Sequence, residues 1–249
     1  MAHSPIEQFE IKPLAHFEIA GVDVSFTNSS LWMVIVVGLL TVFLIGGTRK
    51  NAVIPGRWQV MIELMYSFIA GMVRDNVGKE GKQYFPFIFT LFVFVLGLNL
   101  AGLLPYAFTV TSHIAVNFAM AAFIFIGVTL VGFAKNGAGY LKLFAPAGVP
   151  WWLMPMIVII ELISYCTRPI SLSVRLFANM LAGHIMMKVF AGFIISMAAA
   201  GVVGMVGAVV PFTVNVLLTG LEILVACLQA YVFTILTCIY LNDAMHPSH

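Results

Sequence analysis

Apolar residues in this chain run in long blocks separated by short polar breaks. Residues 30–47, SLWMVIVVGLLTVFLIGG, carry no charge and are long enough to cross a bilayer as a helix. Residues 84–104 and 113–134 read the same way, with Pro105 closing the first and Gly127 and Gly132 as small packing positions in the second. Residues 57–76, RWQVMIELMYSFIAGMVRDN, differ, because Glu63 lies inside and charges bracket both ends. That pattern predicts an amphipathic helix lying along the membrane surface. Residues 151–196 and 205–242 are apolar stretches of about 40 residues each, where a perpendicular span needs about 20. Each is either two helices or one long, strongly tilted helix. Pro155, Pro169 and Pro211 would break or bend a helix, yet membrane helices tolerate such breaks, and periodicity does not choose. Residues 197–210, MAAAGVVGMVGAVV, are small and uncharged and are expected to hold a turn. The polar segment 1–29 contains HFEIAGVDVSFTNSS, expected to form a short hairpin or loop outside the membrane. VGKEGKQ at 77–83 reads as a charged turn, and 135–150, with Lys135 and Lys142, as a loop.

The blocks predict an all-α polytopic membrane protein: about five membrane-crossing helices plus one surface helix, in a single membrane domain over residues 1–249. Composition agrees. Of 249 residues 61% are hydrophobic and 9% charged, against about 25% charged in a soluble domain. The net charge of +2 and the lack of a basic run give no reason to expect nucleic acid. Cys166, Cys227 and Cys238 lie in apolar segments without CxxC spacing, so they read as small buried residues, not a disulfide or a metal site. No metal or cofactor is expected. The start, MAHSPIEQFEIKPL, lacks a positive region followed by an apolar core and does not read as a secretory signal. Six of the twelve Lys and Arg fall between residues 49 and 82, and two more at 135 and 142. Connections near 105–112 and 197–210 have none. The positive-inside rule therefore places the N-terminus outside and the C-terminus in the cytoplasm. No internal repeat is visible, which weighs against a transporter built from inverted halves.

Candidate chemistry concentrates in residues 161–188, ELISYCTRPISLSVRLFANMLAGHIMMK. This apolar stretch holds Glu161, Arg168, Arg175, Asn179, His184 and Lys188. An ionisable group near a bilayer centre costs roughly 2.5–3.5 kcal/mol on insertion scales. Several in one segment imply a hydrated path or a charged partner within the membrane. Glu161, Arg168 and Arg175 are seven apart, and Asn179 follows Arg175 by four, so an ideal helix carries them as one polar stripe.

RPISLSVRLFANMLAGH, with LEILVACLQAYVFTILTCIYL further on, closely resembles the a subunit of the F-type ATP synthase, the membrane-embedded stator of its proton channel. LGLNLAGLLPY at 96–106 and the SPIEQFEI start are similar to the same family, especially its alphaproteobacterial and mitochondrial branches. The resemblance covers most of residues 84–243. It implies a hairpin of two long, tilted helices, 151–196 and 205–242, against a rotating ring of c subunits. It implies peripheral-stalk b-type subunits, the rest of the F1Fo complex and membrane lipids as partners, a bacterial inner membrane as location, and no bond chemistry in this chain. Arg175 matches the family's essential arginine, Asn179 its neighbouring Asn and Gln229 the Gln opposite the arginine. His184 and Glu222 match positions where many bacterial members carry Glu and His; this chain has the two exchanged, as the mitochondrial branch does.

Each assignment has a plainer counterpart. Arg175 keeps its charge at any relevant pH and would favour the ionised form of ring carboxylates; alternatively it pairs with Glu161 in the chain. His184 and Glu222 read as a proton inlet from the outside, or as a core histidine and a Glu bridged to Lys188. Glu161 reads as part of the exit half-channel, or as the ion-pair partner of Arg168. Asn179 and Gln229 position water or the arginine, or only join helices. Ser171 and Ser173 line the path or merely pack, with packing favoured, and His113 marks the channel mouth or is a loop residue. Two other functions compete: a stand-alone ion or solute carrier, and a quinone-linked redox subunit. The second would want paired histidines, and His184 stands essentially alone in the apolar blocks. Sodium in place of protons would need oxygen ligands that reside mostly in the c subunit.

Overall fold

The computed structural model describes residues 11–16, 18–19, 22–23, 25–49, 55–104, 107–144 and 150–246. The SPIEQFEI start and Pro105 lie outside these, apart from Ile11. Seven helices are described: α1 (Asn28–Thr48), α2 (Arg57–Val77), α3 (Phe85–Gly102), α4 (Ile114–Asn136), α5 (Met154–Ala198), α6 (Val202–Gly207) and α7 (Val209–Met245). Five helical stretches are long and apolar enough to cross a membrane: Asn28–Thr48, Lys79–Gly102, Ile114–Asn136, Met154–Ala198 and Val202–Met245. α2 is not among them, in keeping with its mixed sequence. Ahead of α1 stands the expected hairpin, as two short antiparallel ladders: β1 (Pro13–Ala15) with β4 (Phe26–Thr27), and β2 (Glu18–Ile19) with β3 (Val22–Asp23).

The two 40-residue stretches resolve into long single helices. α5 has 45 residues and α7 has 37, so at 1.5 Å per residue α5 is roughly 68 Å long, over twice the hydrocarbon thickness. The prolines explain why neither breaks. Pro155 is the second residue of α5 and Pro211 the third of α7, and first-turn residues have no carbonyl to donate to. Pro169 lies inside α5 and is absorbed there. The expected turn at 197–210 is shorter than its composition suggested. Residues 199–201, with Gly201 at φ +88°, and Ala208 leave the helix, and α6 occupies the stretch between them. Small residues permit a turn there, but in apolar surroundings backbone groups are satisfied only inside helices.

The chain forms two compact units. The first comprises Met1–Leu40, Phe94–Ile114 and Leu176–Ala230, and the second Thr41–Val93, Ala115–Arg175 and Tyr231–His249. In the first, Val95, Leu98, Val110, Leu176 and Met180 are buried, and Gly97 admits the Leu40 side chain at close range. In the second, α2 buries Ile62, Ile69, Met72, Val73 and Val77, one helical face. Phe43 meets Trp58 edge-on at 5.7 Å, and Phe68 meets Phe92 and Tyr231. Cys238 is buried as expected, but Cys166 and Cys227 are exposed. An outward helix face in a membrane is as apolar as a core, so sequence hydropathy could not separate the two.

Candidate functional site

The inner face of α5 is set by residues spaced three and four apart. Tyr165, Pro169, Leu172, Leu176, Met180 and His184 are buried in turn. On α7, Glu222, Ala226, Gln229, Ala230 and Phe233 follow the same rule. His184 and Glu222 are therefore carried inward by the helical repeat itself.

Within the first unit these two side chains meet. His184 Nδ1 lies 3.6 Å from Glu222 Oε1, slightly long for a hydrogen bond. The other ring nitrogen, Nε2, is 3.1 Å from Thr109 Oγ1, and that hydroxyl is 3.3 Å from the Gly102 carbonyl. Ser112 Oγ donates to the Thr109 carbonyl at 2.6 Å. A line of polar groups thus runs Glu222–His184–Thr109 through buried surroundings. Neither Glu222 carboxylate oxygen accepts a hydrogen bond from a described residue. Asn215, seven residues before Glu222 on α7, has a buried Oδ1 in the same condition. Asn99 donates from Nδ2 to the Ala226 carbonyl at 3.3 Å. His113 stacks on Phe108 at 5.1 Å, and burial holds its pKa below the ordinary value.

The second unit holds a separate cluster. Arg168 pairs with Asp243 at 3.3 Å, not with Glu161. Its guanidinium also lies over the rings of Tyr240, at 4.9 Å, and Tyr165, at 5.5 Å. The Tyr165 hydroxyl is 2.8 Å from Tyr140 Oη and 2.5 Å from Thr129 Oγ1. Arg168, Asp243, Tyr140, Tyr165 and Tyr240 line a cavity of about 10 Å3, the size of one water. Glu161 is half-buried and, among the described residues, pairs with no cation. Arg175 is exposed and makes no ion pair with a described residue, so the internal Arg175–Glu161 bridge is not formed. Asn179 and Ser171 are exposed beside it. Ser173 is buried and donates back to the Ile170 carbonyl at 2.9 Å, a packing role. Gln229 is buried on α7, and Lys188 is half-buried one turn beyond His184.

The family profile of the ATP synthase A chain matches residues 30–242. The chain belongs to the ATP synthase A chain family. It is 59% identical over 244 residues to ATP synthase subunit a of Rhodospirillum rubrum, covering 98% of this chain and 99% of that one. With ATP synthase subunit a of Parvibaculum lavamentivorans it shares 57% over 245 residues, 98% and 94% of the two chains. With that of Pelagibacter ubique it shares 55% over 251 residues, all of both chains. Membership in the ATP synthase A chain family makes the chain a non-catalytic membrane component of an ATP synthase. The stand-alone carrier and the quinone-linked subunit are set aside.

Thr109, Asp243, Tyr165 and Asn215 join the site without having been singled out from sequence. Thr109 lies in an uncharged loop and had no signal. Asp243 had one: it is the only carboxylate after Glu222. A lone acid at the end of an apolar helix asks for a cation, and Arg168 supplies it.

Proposed function

We propose that the chain is the proton-conducting stator subunit of an F-type ATP synthase, with Arg175 separating two offset half-channels that serve carboxylates on a ring of c subunits. The observation that carries this reading is the placement of Arg175. It is a permanent cation on an exposed face of α5 whose other members include Ser171, Val174, Ala178, Asn179 and Ala182. Such a charge is costly against lipid, by roughly 2.5–3.5 kcal/mol on insertion scales, and is relieved by a carboxylate brought from outside the chain. Ala178 and Ala182 let a partner helix approach closely. A ring carboxylic acid arriving opposite the guanidinium releases its proton, because a nearby cation favours the ionised form. The same cation repels a proton moving straight from one half-channel to the other. A charge crossing the membrane potential gains about 2.3 kcal/mol per 100 mV, and that work turns the ring.

In this reading Glu222, His184 and Thr109 form the inlet. Unsatisfied buried oxygens on Glu222 and Asn215 are where water would sit, and water between an imidazole and a carboxyl relays protons. Glu161 belongs to the outlet, with Arg168 and Asp243 beside it. Asn179 and Gln229 belong to the same proton path. The long α5 and α7 lie tilted against the ring, α2 lies along the cytoplasmic surface, and b-type stalk subunits hold the chain still in a bacterial inner membrane. Orientation follows the Lys and Arg distribution, with the N-terminus outside. Ala52→Cys should label from the cytoplasm and Val203→Cys from outside; Gly204 has no room for a side chain against the Met197 carbonyl.

The deciding experiment is Arg175→Ala in inverted vesicles carrying the assembled complex. ATP synthesis and ATP-driven acidification should both vanish while passive proton leak persists or rises. Arg175→Lys should fail as well, since a compact ammonium lacks the planar fork. Near-normal synthesis by Arg175→Ala would sink the proposal.

A further inference from the structure

The corner between α2 and α3 carries a groove that the proton path does not use. It encloses about 760 Å3, and its lining includes Tyr66, Val73, Arg74, Lys79, Lys82 and Phe85. All six belong to the second unit. The floor is apolar. Tyr66 meets Phe85 edge-on at 4.7 Å, and Phe85 stacks on Phe89 at 5.7 Å. The rim is cationic and poorly compensated. Glu80 is taken by Lys135. Asp75 touches Arg74 at 3.7 Å, but those side chains are 73% and 80% exposed, and such a pair is screened by water. Among the described residues no carboxylate pairs with Lys79 or Lys82.

Depth gives the rim its meaning. Lys79–Gly102 is a candidate span whose charges are confined to its first residues, Lys79, Glu80 and Lys82. Charges at the end of a span sit at headgroup level, and Phe85 and Phe89 follow one and two turns deeper. We propose that this groove binds an anionic phospholipid, with its phosphodiester on Arg74, Lys79 and Lys82 and an acyl chain along Tyr66, Phe85 and Phe89. A soluble anion would meet only the rim, where exposed cations in salt water hold it weakly. An acidic segment of a partner protein would match the rim but not a floor that deepens into the apolar part of a span. The site is independent of the role of Arg175.

The test uses the intact complex in phosphatidylcholine vesicles doped with phosphatidylglycerol bearing a photoactivatable acyl chain, with adducts mapped by peptide mass spectrometry. Adducts should fall on the α2 and α3 peptides around Tyr66 and Phe85. Unlabelled phosphatidylglycerol should compete them away, and unlabelled phosphatidylcholine should not. Lys79→Gln and Lys82→Gln should each reduce the yield about fivefold, the effect of one cation at a charged membrane surface, whereas Lys79→Arg and Lys82→Arg should retain it. Equal labelling by a phosphatidylcholine probe, or competition by either lipid alike, would overturn the proposal. So would a cross-link from this groove to another protein subunit in place of lipid.

Discussion

The carboxyl group of Glu222 lies over the Cα of Gly183, one residue from the His184 ring it faces. A methyl group built on Gly183 would stand 2.7 Å from Oε1 and 3.0 Å from the carboxyl carbon. The glycine is there for space, since its backbone is ordinary helix. Gly183→Ala should therefore push the carboxyl away from the imidazole. A displacement of this kind can cost a factor on the order of ten to a hundred in transfer rate, so ATP-driven acidification should fall at least about tenfold while the complex still assembles. Gly192 on the same helix has nothing within 4 Å of its added methyl. Gly192→Ala should leave pumping intact. Equal effects of the two substitutions would mean that Gly183 is not holding room for Glu222.

Thr109 holds the other side of the ring. Its hydroxyl lies 3.1 Å from His184 Nε2. Thr109→Val keeps the shape and removes the hydroxyl, leaving a buried nitrogen without that bond, a loss of about 1–3 kcal/mol. Proton pumping should drop several-fold, and Thr109→Ser should restore most of it. Vesicle acidification rates for the two variants decide the matter; a Val variant as active as the Ser variant would remove Thr109 from the relay.

Arg168 and Asp243 form a partly buried pair, with side chains 20% and 32% exposed. Asp243→Asn should destabilise the complex by about 1–3 kcal/mol, because it leaves a cation between two aromatic rings without its carboxylate. Arg168→Met should do the same from the other side. The double variant should be more stable than either single one, since no unpaired charge remains. Thermal unfolding of the detergent-solubilised complex measures this. Additive losses would show that the two residues act separately.

Much of the fold was legible because the apolar blocks are long and their breaks are charged. The five long apolar helical stretches among the described residues and the distinct character of α2 follow from that alone. What hydropathy left open was whether residues 151–196 and 205–242 were each one helix or two. Pro155 and Pro211 looked like breaks and are harmless in a first turn, which is visible only once the helix start is known. The site divides the same way. Arg175 stood out as a charge in an oily segment, but its exposure on α5, in contrast to Leu176 beside it, depends on which face packs inward. Glu161 was the expected ion-pair partner of Arg168, and packing instead brings up Asp243, 75 positions away. Thr109 carries no charge and breaks no pattern, so nothing in the sequence marks it.

The His184–Glu222 pair gives the sharpest prediction. The imidazole sits on α5 and the carboxyl on α7, 3.6 Å apart and buried together. If the relay needs one of each, the helix that bears each one matters little. His184→Glu alone would place two carboxyls side by side. They cannot both ionise at that separation, so they would share and hold a proton. Glu222→His alone would place two imidazoles together, whose cationic forms repel. Each single exchange should strongly impair ATP-driven acidification. The double exchange restores one imidazole and one carboxyl at the same separation and should recover a substantial part of the rate. A double variant no better than the worse single one would show that the two residues do not act as a pair, and at least one would leave the inlet.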